Sequence, residues 1–148
     1  MKNNIKNRFV SLNGERPVPN STISKIEERL TVILPSDFKE IVSYFDGSGI
    51  YSLALHSISV DEPKTNIVSE TLRLREAIGI PTQFVVLGEP PESLIVMDCS
   101  QKGKVTWCDA NDVYRLGKEA LLSKPDEWPT FTAFFEHVLD DEEEDRKQ

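Results

Sequence analysis

The sequence predicts an α+β fold: a central, mostly antiparallel sheet flanked by helices in a single domain. Three observations predict it. Amphipathic helical stripes occupy both ends of the chain, at 23–30 and 38–45 near the start and at 131–138 near the end. Between them, residues 83–109 hold three short apolar runs separated by loop signals. A strand meander with helices on both flanks, lacking the strand–helix alternation of a doubly wound sheet, belongs to the α+β class. A length of 148 residues suits one domain with a full core.

Taken in order, residues 1–17 read as an extended lead-in, because Pro17 and Pro19 cannot continue a helix. The domain proper is placed at 18–139. Ile23, Ile26 and Leu30 share one face of a first helix, with Lys25, Glu28 and Arg29 outside. Asn20 or Ser21 can cap it, or Ser24 and Glu27 form a capping box if it starts later. Pro35 then forces Leu34 to be extended, so that helix has ended by there. Ser36 is a good N-cap for the next helix, and Asp37 sits where the helix dipole favours an acid. Phe38, Ile41, Val42 and Phe45 form its apolar stripe, and Gly47 and Gly49 end it.

Residues 50–58 alternate partly and predict a strand, broken by Asp61-Glu62-Pro63. The spacing of Ile67, Thr71, Leu74 and Ile78 predicts a helix over 65–78, ended by Gly79 and Pro81. Residues 83–88 predict a strand covered on both faces. Residues 94–98 and 104–109 predict a hairpin around Ser100-Gln101-Lys102-Gly103. With Cys99 opposite Lys104, the residues Ile95, Met97, Thr106 and Cys108 share one face, and Leu94, Val96, Val105 and Trp107 the other. That register holds the two cysteines roughly 13 Å apart along the strand. A disulfide needs Cα atoms within about 7 Å, so both are read as reduced packing residues. Residues 110–124 allow helical turns weakened by Gly117. Glu127-Trp128-Pro129-Thr130 opens the last helix, whose stripe is Phe131, Phe134, Phe135 and Val138. Residues 140–148 are acidic, lack an apolar anchor and are expected to form a disordered tail.

Composition bounds the function classes. Apolar residues make up 39% and charged residues 28%, which is globular and not disordered. The net charge is −8, and the tail contributes six acids against two bases. An acidic chain without a basic stripe argues against direct nucleic-acid binding. On charge alone the acid excess reads first as an aid to solubility, and it also suits a basic protein partner. No apolar run approaches the roughly 20 residues of a membrane helix, and the N-terminus lacks the apolar core of a secretory signal. The cytoplasm is the expected compartment.

The chemistry-bearing motifs are few. Nucleophile-elbow, phosphate-loop, dinucleotide and zinc-protease signatures are all absent from the sequence. Gly47-Ser48-Gly49 follows a helix instead of opening one and reads as a turn. His137 and Asp141 have i,i+4 spacing but no third ligand. Two histidines and two cysteines are too few and too scattered for zinc. Asp98, Asp109 and Asp112 lie near the hairpin, where paired catalytic carboxylates compete with the commoner reading as turn acids. No catalytic, cofactor-binding or metal-binding residue is assigned, and an enzyme is not expected.

Four stretches, in order, resemble the SUKH superfamily. Leu34-Pro35-Ser36-Asp37-Phe38-Lys39 running to Phe45-Asp46-Gly47 resembles its opening helix signature. The stretch from Ile80 through Gly88 resembles its middle strand. Leu94-Ile95-Val96-Met97-Asp98 with Gly103-Lys104-Val105-Thr106-Trp107 resembles its hairpin, and Trp128-Pro129-Thr130-Phe131-Thr132-Ala133-Phe134-Phe135 its closing helix. Glu89-Pro90-Pro91-Glu92 departs from the Asp-Gly often found there. The resemblance implies the fold of fungal cell-wall-synthesis regulators and bacterial immunity proteins. It implies a non-enzymatic binding module, most specifically an immunity protein that neutralises a cognate toxin, often a nuclease. The alternative is an intracellular scaffold or regulator with peptide-like partners. For a basic partner, the loop acids Asp61, Glu62, Glu89 and Glu92 and the tail acids Asp140, Asp141, Glu142, Glu143 and Glu144 are the expected contact residues.

Overall fold

A computed structural model of the chain describes residues 3–147. The elements run α1 (Asn3–Asn13), α2 (Asn20–Leu30), α3 (Ser36–Ile41), α4 (Ile67–Ile78), β1 (Phe84–Gly88), β2 (Ser93–Asp98) and β3 (Lys104–Asp109). A 3₁₀ helix (Ala110–Arg115), β4 (Asp126–Trp128) and α5 (Phe131–Arg146) complete the chain. The four strands form one antiparallel sheet in the order β1-β2-β3-β4. This is the α+β architecture expected from the sequence.

The sheet separates two cores. On one face, Val85, Leu87, Ile95, Met97 and Val105 join a large cluster with side chains of α1, α2, α3 and α5. On the other, Phe84, Val86, Leu94, Val96 and Cys108 pack with Leu74 of α4 and with Val113 and Leu116. Both faces are covered, which is why β1 is apolar at every position. A buried cross-link strengthens the α4–β1 packing: the Val86 N–H donates to Thr71 Oγ1 at 2.8 Å.

The hairpin register differs from the expected one by a residue. Asp98, not Cys99, pairs with Lys104, and Leu94 pairs with Cys108. Consequently Ile95, Met97, Val105 and Trp107 face the larger core, while Leu94, Val96, Thr106 and Cys108 face the other way. The turn chemistry decides this. Asp98 Oδ1 accepts the Ser100 N–H and hydroxyl, and the Gly103 N–H returns to the Asp98 carbonyl at 3.1 Å. Asp98 therefore starts a five-residue loop, and a slip of one exchanges every face. Both cysteines are free thiols.

The expected lead-in over 1–17 is instead a helix from Asn3 to Asn13. Ile5 and Phe9, one turn apart, are buried, and Phe9 packs edge-on to Phe45 and tilted against Phe135, with ring centres 5.3 and 5.9 Å away. Tertiary burial overrides a modest helix propensity here. Gly14, at φ +74°, ends the helix before the Arg16-Pro17 stretch.

Within the expected disordered tail over 140–148, residue 148 lies outside the described residues, and residues up to Arg146 are the last part of α5. Three features anchor it: buried Leu139, buried Glu142 and ion pairs back to α1.

The expected strand over 50–58 is an irregular segment that touches the sheet through a single bridge, Leu55 to Gly88, at a bulge in β1. A Cβ at Gly88 would lie 2.9 Å from the Ala54 carbonyl oxygen, so the close approach requires glycine. The segment covers the exposed edge of β1. Conversely, β4 is a strand where the sequence suggested only a helix start, and Trp128 packs edge-on to Phe134 at 5.1 Å.

Candidate partner-binding surface

The nine acids expected to meet a partner have different environments. Asp61 and Glu62 lie exposed on the loop before α4, and Asp61 is 3.9 Å from Arg29. Glu92 is exposed at the β1–β2 turn with φ +58°. Among the described residues, neither Glu62 nor Glu92 makes an ion pair. Asp141 and Glu144 are exposed on α5, in i,i+4 and i,i+3 contacts with His137 at 3.3 Å and Lys147 at 3.7 Å. Such solvated pairs contribute little to stability and leave the charge available.

The remaining four acids are engaged within the fold. Asp140 and Glu143 grip Arg8 of α1 at 2.6 and 2.7 Å. Hydrogen bonding to Glu143 comes first in holding the Arg8 pKa above its ordinary value. Hydrogen bonding from Arg8 in turn holds the Glu143 carboxyl below its own.

Glu142 is only 1% exposed. Its Oε1 accepts the backbone N–H groups of Tyr51 and Ser52, and its Oε2 accepts from Arg146 Nε at 2.8 Å. Burial disfavours the charged form, but these donors outweigh it and lower the pKa. Glu89 is clamped between Arg73, at 2.5 Å, and His56, at 2.9 Å. The expected acidic tail is thus a two-sided element: Asp141 and Glu144 face outward, and Asp140, Glu142 and Glu143 hold the chain ends together. Sequence spacing did contain the signal, since 138, 139 and 142 continue the helical stripe of Phe131, Phe134 and Phe135.

A second feature is an open groove of about 960 Å³ between the β2–β3 turn and the starts of α3 and α5. Leu34, Pro35, Lys102, Ala133 and Glu136 line it, with Ile33 on the rim, 79% exposed. The Leu-Pro-Ser-Asp stretch builds one wall. Asp37, in the first turn of α3, accepts the Thr132 N–H at 2.9 Å and hydroxyl at 2.7 Å, which ties the start of α5 to that of α3. Thr130 caps α5 by accepting the Ala133 N–H. Cys99 borders the groove, and burial pushes its thiol up to about 12, so it stays protonated at neutral pH.

The three carboxylates that could have converged are held in separate structural roles. Asp98 builds the hairpin turn. Asp109 caps the 3₁₀ helix by accepting the Asn111 N–H. Asp112, buried, accepts the N–H groups of Leu122 and Ser123. His137 is exposed on α5 beside Trp128. The fold does, however, bring His56 to Glu70 and Glu89, a grouping that separations as long as 33 positions hid in the sequence.

The comparisons with known proteins bear on the fold just described. A family model described as SMI1-KNR4 cell-wall, within SUKH, matches residues 3–140. The chain belongs to the SUKH superfamily. A solved crystal structure of a protein from Pseudomonas syringae pv. tomato superposes with a TM-score of 0.65 at 18% identity. The match covers 93% of this chain and 98% of that one, and at this identity it speaks for the fold. None of the curated proteins matches. The SUKH match begins at residue 3 and so takes in α1, beyond the 18–139 bounds expected from the sequence. No helix among the described residues is long and apolar enough to cross a membrane.

Proposed function

We propose that this SUKH protein is a non-enzymatic binding module acting as an immunity protein, which binds and neutralises a cognate toxin, most specifically a nuclease. The observation that carries the reading is family membership over residues 3–140. The outward acids support it. Asp61, Glu62, Glu92, Asp141 and Glu144 present negative charge not committed to the fold, suited to the cationic substrate groove of a nuclease. Such charges steer encounter, and a few buried anchors supply the affinity. Glu89, Asp140, Glu142 and Glu143 contribute to that field while serving the fold first.

The test is inhibition of a toxin encoded beside this protein's gene. The expected result is loss of toxin activity at equimolar ratio and protection of cells expressing the toxin. No toxin-like neighbour, together with no nuclease retained in pull-downs, would remove the reading's support.

A second reading is an intracellular regulator or scaffold with peptide-like partners. The family's cell-wall description favours it, as does the groove beside Ile33, whose mixed apolar and charged lining suits an extended peptide. Substituting Ile33 and Lys102 separates the two: a groove-bound peptide is lost, whereas a partner held by the loop acids is retained.

A further inference from the structure

We propose that His56, Glu70 and Glu89 form a binding site for a first-row divalent cation of the Zn²⁺ or Mn²⁺ type. One ligand atom from each residue lies within 4.8 Å of the others. Two atoms bound to one such ion sit at most about 4.2 Å apart, given bonds of roughly 2.1 Å, so side-chain movements of about an ångström close the site. Imidazole with two carboxylates is a donor set these ions accept.

Three separate elements hold the ligands in place. The His56 backbone N–H donates to the Leu87 carbonyl at 2.8 Å, fixing the irregular 50–66 segment to the edge of β1. Glu70 lies in the first turn of α4, behind the reciprocal capping box of Asn66 and Ser69. Glu89 directly follows β1. All three side chains are largely buried, at 14%, 17% and 28% exposure, which limits competition from water.

Arg73, half exposed, bridges the two carboxylates. Its guanidinium donates to Oε1 of Glu70 at 2.8 Å and to Oε1 of Glu89 at 2.5 Å. The second oxygen of Glu70 makes no hydrogen bond among the described residues, and Glu89 Oε2 meets His56 Nε2 at 2.9 Å, a hydrogen bond that a shared ion would replace. Arg73 therefore orients the carboxylates, as hydrogen-bond partners outside a metal's own ligands commonly do. Two carboxylates face one guanidinium in this largely buried cluster, and that excess of acidic groups attracts a cation. Bound there, the ion would join α4, the end of β1 and the 50–66 segment. The inference is independent of the immunity reading.

The experiment titrates EDTA-stripped full-length protein with ZnCl₂ and, separately, MnCl₂, by calorimetry and by NMR of the histidine ring resonances. One ion is expected to bind per chain, with the His56 resonances, and not those of His137, shifting or broadening. His56→Gln and Glu70→Gln are each expected to weaken binding at least about tenfold, and His137→Gln to leave it unchanged. If His56→Gln fails to fold, Glu70→Gln and the His56 resonances of the wild type decide. The proposal is overturned by absence of binding, by unmoved His56 resonances, or by loss on His137→Gln alone. The last outcome would place the ion on the exposed His137–Asp141 pair.

Discussion

Glu142 accepts the backbone N–H of Tyr51 at 2.9 Å, across 91 positions of sequence. With the Ser52 N–H on the same oxygen and Arg146 on the other, this carboxylate ties the last helix to the loop after α3. Arg146 extends the tie by donating to the Leu12 and Gly49 carbonyls. Glu142→Ala leaves two backbone N–H groups without an acceptor and Arg146 Nε without its carboxylate, and is expected to cost about 3 kcal/mol. Glu142→Gln keeps one acceptor and should cost less. Urea denaturation of both variants checks the order.

Removing residues 140–148 deletes the ion pairs to Arg8 as well as Glu142 and Arg146. The truncated protein is expected to lose thermal stability, and its α1 amides to exchange faster with solvent in hydrogen-exchange measurements. For that reason, loss of partner capture on truncation would not by itself place the tail in an interface.

Acid should weaken the same clasp. Glu142 and Glu143 both titrate below the ordinary value of 4.5 in the folded protein. A lowered folded pKa contributes stability that is present above the unfolded value and lost as pH falls through the folded one. Thermal melts should therefore show stability falling as pH drops below 4.5. The fall should be shallower in Glu143→Gln, whose baseline is lower from the start.

Phe9 is fully buried and contacts Tyr44, Phe45 and Phe135. Phe9→Ala is expected to cost roughly 3–5 kcal/mol, typical of an emptied aromatic site. Equilibrium unfolding measures it directly, and a value under about 1 kcal/mol would mean that α1 docks only loosely.

For the proposed partner interface, the double variant Glu62→Lys and Glu92→Lys should slow association and reduce its salt dependence. Its melting temperature should stay close to that of the wild type, because neither acid makes an ion pair among the described residues. Stopped-flow binding at two ionic strengths provides the readout.

Local sequence pattern carries the α+β class, the helices at 20–30 and 67–78, the two-faced strands and the family resemblance. Those features are local: an apolar stripe at helical spacing, a proline before a cap and a continuous apolar run are all written in neighbouring residues. Tertiary structure decided the rest. The hairpin register turned on which residue started the turn, because a shift of one costs nothing in pattern but exchanges both faces. The helix at Asn3–Asn13 and the ordered end of α5 formed because each buries the other, through Phe9 against Phe135 and Arg8 against Glu143. An acid such as Glu142 reads as solvated until the N–H groups that desolvate it arrive from 90 positions away. His56, Glu70 and Glu89 likewise became neighbours only when β1 paired along its edge. Charge and hydrophobicity are properties of single residues, but whether a charge is free or committed depends on which groups the folded chain brings to it.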